Sequence, residues 1–184
     1  MFTLLRALVV STLAYLHPGA RSAAVIAKAI AAEVSRTCSD SGALGSCELD
    51  AVALAVAAEQ EGRLCLGGAC RRGDHGRSAS TFQVMGRTRA DTDRYERDLG
   101  AATHRAYEVL RAGAAQCPSE PLAPYCGGCG RRGARALARP RLELARAILE
   151  IVQPTQVHDL LEASSSDGPP CPSASPDEES LLDE

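Results

Sequence analysis

The sequence predicts a mainly α-helical domain with one small β-hairpin, and three observations carry that prediction. Hydrophobic residues make up 45% of the chain, but aromatics only 3% and Trp is absent, so the core has to be built from Ala, Leu and Val. Small side chains suit closely packed helices better than a sandwich, which needs β-branched and aromatic strands. Apolar residues recur at helical spacing through most of the chain, and that period is lost in a Gly-, Arg- and Ser-rich stretch from Cys65 to Gln83. At 184 residues, one domain with a single core is expected.

Phe2 to Leu16 is apolar apart from Arg6 and several Thr and Ser, and is too short to span a bilayer comfortably. Residues 1–22 read either as a signal peptide, with cleavage near Ala24 after small residues, or as a first core helix broken at Pro18-Gly19. No membrane span is expected. Val25, Ile26, Ile30 and Val34 mark a helix over Ala23 to Val34, and a polar linker, Ser35 to Ser46, follows. Asp50 stands where an N-cap belongs, and Ala51 to Gln60 is apolar on nearly every face, as in a helix buried mid-domain. Gly62 is the expected stop.

Cys65 to Gln83 reads as a loop and a hairpin ending in the strand-like Ser80 to Val84. Tyr95, Leu99, Ala102, Ala106 and Leu110 predict one helix closed by Gly113, and Leu142, Ala145, Ile148, Leu149 and Val152 a last amphipathic helix starting after Pro140. The domain is therefore placed at 23–153. Beyond Pro154 apolar content collapses into Ser, Pro, Asp and Glu, so 154–184 is expected to be a disordered acidic tail.

Against 23 Asp and Glu stand 20 Lys and Arg, a net charge of -3, which gives no global attraction to nucleic acid. The span from Arg71 to Arg146 is nonetheless basic, and reads as a solvated helical surface or as a face for an anionic polymer. Eight cysteines stand at 38, 47, 65, 70, 117, 126, 129 and 171. Cys65 and Cys70 bracket a short Gly-rich loop that could close a disulfide. The alternatives are a zinc site of Cys65, Cys70, Cys126 and Cys129, or free thiols. Bridges would imply an oxidising compartment.

The chemistry-bearing stretch begins at the end of the apolar helix, where Glu59, Gln60 and Glu61 are polar groups beside a buried core. Partial burial favours the protonated form of a Glu, as a general acid requires. Gly73-Asp74-His75-Gly76-Arg77-Ser78 and then Phe82-Gln83-Val84 follow. In this order the segments resemble the lysozyme-like lytic transglycosylase superfamily, in which a buried helix ends in a catalytic Glu, usually Glu-Ser, beside a small β-region. Glu61-Gly62-Arg63-Leu64 stands at the Glu-Ser-x-Phe position, the Gly73 to Ser78 turn matches Gly-Asp-x-Gly-Arg-Ser, and Phe82-Gln83-Val84 matches an aromatic-Gln-apolar strand. The resemblance covers roughly residues 45 to 150, and Tyr125-Cys126-Gly127-Gly128 falls near a Tyr-bearing, Gly-containing loop of the family. Gly62 in place of Ser, and Glu59 two residues from Glu61, depart from the pattern.

The resemblance implies an α+β lysozyme-like fold and a glycosidase that cuts peptidoglycan between N-acetylmuramic acid and N-acetylglucosamine. Glu61 is the implied acid and base, and Asp74, Ser80, Phe82, Gln83 and Tyr125 the implied substrate-binding residues, with Gln83 bonding an N-acetyl group. Without the resemblance, Asp74 reads as a turn residue, His75 as exposed, Gln83 as a partner of strand backbone, Tyr125 as core filling and Glu61 as a solvated helix end. Asp74 is the only acid in the motif region that could pair with Glu61. Single-acid members use the substrate's own groups and release an anhydro-sugar. The expected site takes no metal and no cofactor. Its expected partner is peptidoglycan glycan, met by a monomer outside the cytoplasm, whether secreted, periplasmic or delivered by phage machinery. The other readings are a non-catalytic domain of this fold that binds wall glycan or a partner protein, and a zinc-stabilised interaction module.

Overall fold

The computed structural model describes residues 1–38, 41–126 and 128–165, except for the side chains at 126 and from 153 onward. The fold is mainly helical with one small antiparallel hairpin, as the sequence predicts. In chain order the described elements are α1 Phe2–Leu16, α2 Ala23–Thr37, α3 Cys47–Gly62, β1 Ser78–Ala79, β2 Val84–Met85, α4 Arg89–Arg97, α5 Leu99–Gln116 and α6 Arg132–Ser165.

Helix α3 is the axis of the molecule, touched by α1, α2, α5 and α6. Every residue from Leu49 to Ala58 is buried, which is what an apolar surface all round a helix requires. Its N-cap is Ser46, whose hydroxyl accepts the Leu49 N–H at 3.0 Å. Asp50 is thus inside the helix rather than capping it, and it is fully buried. A buried carboxylate has to find donors. Asp50 takes the N–H groups of Ala43 and Leu44, at 2.7 and 2.8 Å, and the Tyr107 hydroxyl at 2.7 Å, which fastens the preceding loop and α5 to α3. Burial still pushes its carboxyl above the usual carboxylate range, against the pull of these donors.

Leu5, Leu8, Val9 and Leu13 of α1 are at most 1% exposed, and α1 packs on α2, α3 and α6. Helix α2 runs past Val34 to Thr37, so the polar linker starts later than expected. Near its end Glu33 accepts bonds from Arg36, from Thr37 at 3.0 Å and from His104 of α5 at 2.9 Å. Burial raises this carboxyl, but His104, Arg36 and Thr37 together hold it below the ordinary range.

The single helix expected over Tyr95 to Gly113 is two. Asp98 ends α4 in extended backbone and caps α5 by accepting the Ala101 N–H at 3.0 Å. Gly113 lies inside α5, where a Cβ would stand 2.0 Å from the Pro121 carbonyl oxygen, so it admits a neighbouring segment and does not end the helix. Helix α6 starts at Arg132, well before Pro140, whose ring is exposed. A buried stripe of Ala134, Ala138, Leu142, Ala145, Ile148 and Val152 continues across that proline. The helix also continues beyond Val152 to Ser165. Of the expected tail, 166–184 and all side chains lie outside the described residues.

Three disulfides join Cys38 to Cys47, Cys65 to Cys70 and Cys117 to Cys129, with Cα separations of 5.8, 5.1 and 5.7 Å. They overturn the zinc set. Cys65 and Cys70 are spent on each other and Cys129 on Cys117, while the Cys126 side chain and Cys171 lie outside the described residues.

Candidate active site

Helix α3 delivers Glu61 to its last turn. Gly62, the expected stop, is still helical, and the cap is Arg63, which with Leu64 adopts left-handed backbone at φ 49° and 58°. A Cβ on Gly62 would stand 2.4 Å from the Thr81 carbonyl oxygen and 2.5 Å from the Thr81 Cα. The hairpin turn therefore lies directly on the helix end, and the Ser usual in the resembling family has no room here. Thr81 adds a hydrogen bond from its hydroxyl to the Ala58 carbonyl at 3.0 Å, and Ser22, at the start of α2, donates to the Leu64 carbonyl. The end of α3 is clamped from both sides.

The Glu61 side chain is 19% exposed, and its carboxylate accepts a hydrogen bond from Arg141 of α6. Glu59 is half-buried. Tyr125 donates its hydroxyl to the Ala106 carbonyl, and burial together with the charge of Glu61 holds that hydroxyl well above the usual tyrosine range.

The hairpin pairs Ser78 with Met85 and Ala79 with Val84. Ser80 to Gln83, expected as strand, form its turn, because Ser80 and Gln83 sit at φ 70° and 48° and carry the chain round. Gln83 is tied to its own loop. Its amide nitrogen donates to the Ser80 and Arg71 carbonyls at 3.0 and 2.9 Å, and its oxygen accepts the Ser78 hydroxyl at 3.2 Å. Phe82 is fully buried in the core, and the Ser80 hydroxyl, 3% exposed as a residue, accepts the Phe82 N–H at 3.2 Å. Asp74 and His75 are exposed turn residues at φ 47° and 57°, and the Asp74 carbonyl accepts the Arg77 N–H at 3.3 Å.

The structure thus sets the turn holding Ser80, Phe82 and Gln83 against the helix end and bonds the Tyr125 hydroxyl to Ala106, within reach of the Glu61 charge but not to its carboxylate. It leaves Asp74 in solvent. Among the described residues, all the non-Gly positions with positive φ fall between Arg63 and Gln83. Left-handed backbone at residues with a Cβ is costly and concentrates where a site has to be held in shape. Sequence reasoning missed Arg141, Thr81 and Ser22. Nothing in the local pattern marks Arg141, but a glycine straight after the candidate acid could have flagged a close approach. Comparison with protein-family models, curated proteins and solved structures found no match to this chain.

Proposed function

We propose that this chain is a peptidoglycan-cleaving glycosidase of lytic transglycosylase or lysozyme type, with Glu61 as general acid and base. The observation that carries the reading is the clamp. A partly exposed carboxylate stands on the last turn of the most buried helix, and the backbone beside it, at Gly62 and Ala58, is fixed against a hairpin turn that supplies the aromatic-Gln segment of the resembling family. A proton donor to a glycosidic oxygen has to be held at a set distance from the bond it breaks, and a rigid helix end does that better than a loop. With Glu61 as the one acid of the site, it would give its proton to the leaving glycosidic oxygen as the C1–O bond breaks, the sugar's acetamido group would stabilise the developing cation, and the C6 hydroxyl of the same sugar would then attack C1 and return its proton to Glu61, closing an anhydro-sugar end. The three disulfides fit an oxidising, extracytoplasmic setting.

One observation favours the second reading, a non-catalytic domain that binds wall glycan. Arg141 lies on the Glu61 carboxylate. The guanidinium occupies the carboxylate oxygen that a glycosidic oxygen would have to reach. In the catalytic reading substrate has to part the pair. Purified sacculi separate the two: the wild-type chain should pellet with them and release soluble glycan fragments, and Glu61→Gln should pellet but release none. Pelleting without release by the wild type would establish the binding-only reading.

A further inference from the structure

A concavity of about 420 Å³ lies between the Gly73 to Ser78 turn and the start of α4. Its charged lining is entirely cationic: Arg72, Arg77, Arg87 and Arg89, with His75 beside them, and no Asp or Glu among the lining residues. Such volumes fall in the range of small-ligand sites. Arg72 is neutralised by Asp93, at 2.6 Å, and by Glu96. Among the described residues no carboxylate lies within ion-pair distance of Arg77, Arg87 or Arg89. Asp91, the acid on the first turn of α4, accepts the Thr88 N–H and hydroxyl at 2.9 and 3.0 Å and also feels the charge of Arg87.

We propose that this concavity binds an oxyanion, a phosphoryl or carboxylate group of a small ligand, through the guanidinium groups of Arg77, Arg87 and Arg89. Three guanidinium groups round one hollow, none of them held in an ion pair, repel one another, and an anion that accepts from their planar donor edges relieves that repulsion. The site stands apart from Glu61 and does not depend on the glycan-cleaving reading.

Calorimetric titration of the full chain with pyrophosphate and with citrate, at ionic strength held constant with NaCl, tests this. Saturable binding of either probe is expected, pyrophosphate alone indicating a phosphoryl ligand and citrate indicating a carboxylate one. Loss of charge-assisted bonds in Arg87→Gln/Arg89→Gln should weaken it by roughly tenfold or more. Arg131→Gln/Arg135→Gln, at exposed positions on and before α6, should bind as the wild type does. Independently of any variant, the His75 ring resonances should move on titration while those of His104 stay. No saturable binding of either probe would overturn the proposal, as would equal binding by the Arg87→Gln/Arg89→Gln chain or an unmoved His75.

Discussion

A Cβ at position 62 would overlap the backbone of Thr81, so any side chain there has to lift the hairpin turn off the helix. Gly62→Ser should cost about 1–3 kcal/mol, the usual range for overpacking a tight contact; denaturant unfolding measures it, and a neutral result would mean that the turn gives way freely. Arg141→Gln releases the Glu61 carboxylate from its partner and should speed glycan release severalfold if Glu61 is the acid, an effect read in initial rates on sacculi. Glu33 contributes one pH dependence. Its carboxyl is held below its ordinary 4.5 in the fold, so the unfolded chain binds the proton more readily. Its contribution is therefore complete above pH 4.5 and is lost as pH falls through the lowered folded value. The difference in melting temperature between wild type and Glu33→Gln should be widest at neutral pH and close on acidification. At this scale the sequence made Glu61 visible, because a polar residue ending an apolar helix stands out. It hid Arg141, which is brought to Glu61 only by the packing of α6, and it disguised Asp50, whose place near the start of an apolar run is as good a cap position as Ser46 until the loop bonds are known.

Elements were legible where one local rule governed them. The burial of α3 followed from its apolar faces, and the Cys65–Cys70 bridge from a short Gly-bearing loop. They were misread where a tertiary contact decided. Gly113 resembles a helix stop but serves a close approach, Asp98 splits one periodic run into two helices, and Pro140 resembles a helix start while sitting on the exposed side of α6. The hairpin was found but its strand was placed on its turn, since Thr81, Phe82 and Val84 have strand-like side chains while Ser80 and Gln83 take left-handed backbone. The Cys65–Cys70 loop connects the helix end to the Gly73 to Ser78 turn, so its staple should act on site geometry more than on stability. A loop this short contributes less than the ~3 kcal/mol that chain entropy assigns to a 15-residue loop. Cys65→Ser/Cys70→Ser should therefore lower the rate of glycan release markedly with a small shift in melting temperature; a large thermal loss at unchanged rate would reverse that order.

Across the whole molecule, α1 and α3 share one core, and the buried leucines of α1 have no other helix to replace them. Leu8→Ala should cost about 2–5 kcal/mol, and a chain beginning at Ala23 should lose cooperative unfolding, both read by circular dichroism; a truncated chain that melts as sharply as the full one would remove α1 from the core. The site built on that core makes one claim above the others, that a single fixed acid at Glu61 cuts wall glycan. Mass spectrometry of soluble fragments from purified sacculi measures it directly. The wild-type chain should release disaccharide-peptide fragments ending in anhydro-muramic acid, and Glu61→Gln, folded alike, should release none. Equal release by both chains, or none by the wild type, would contradict the account.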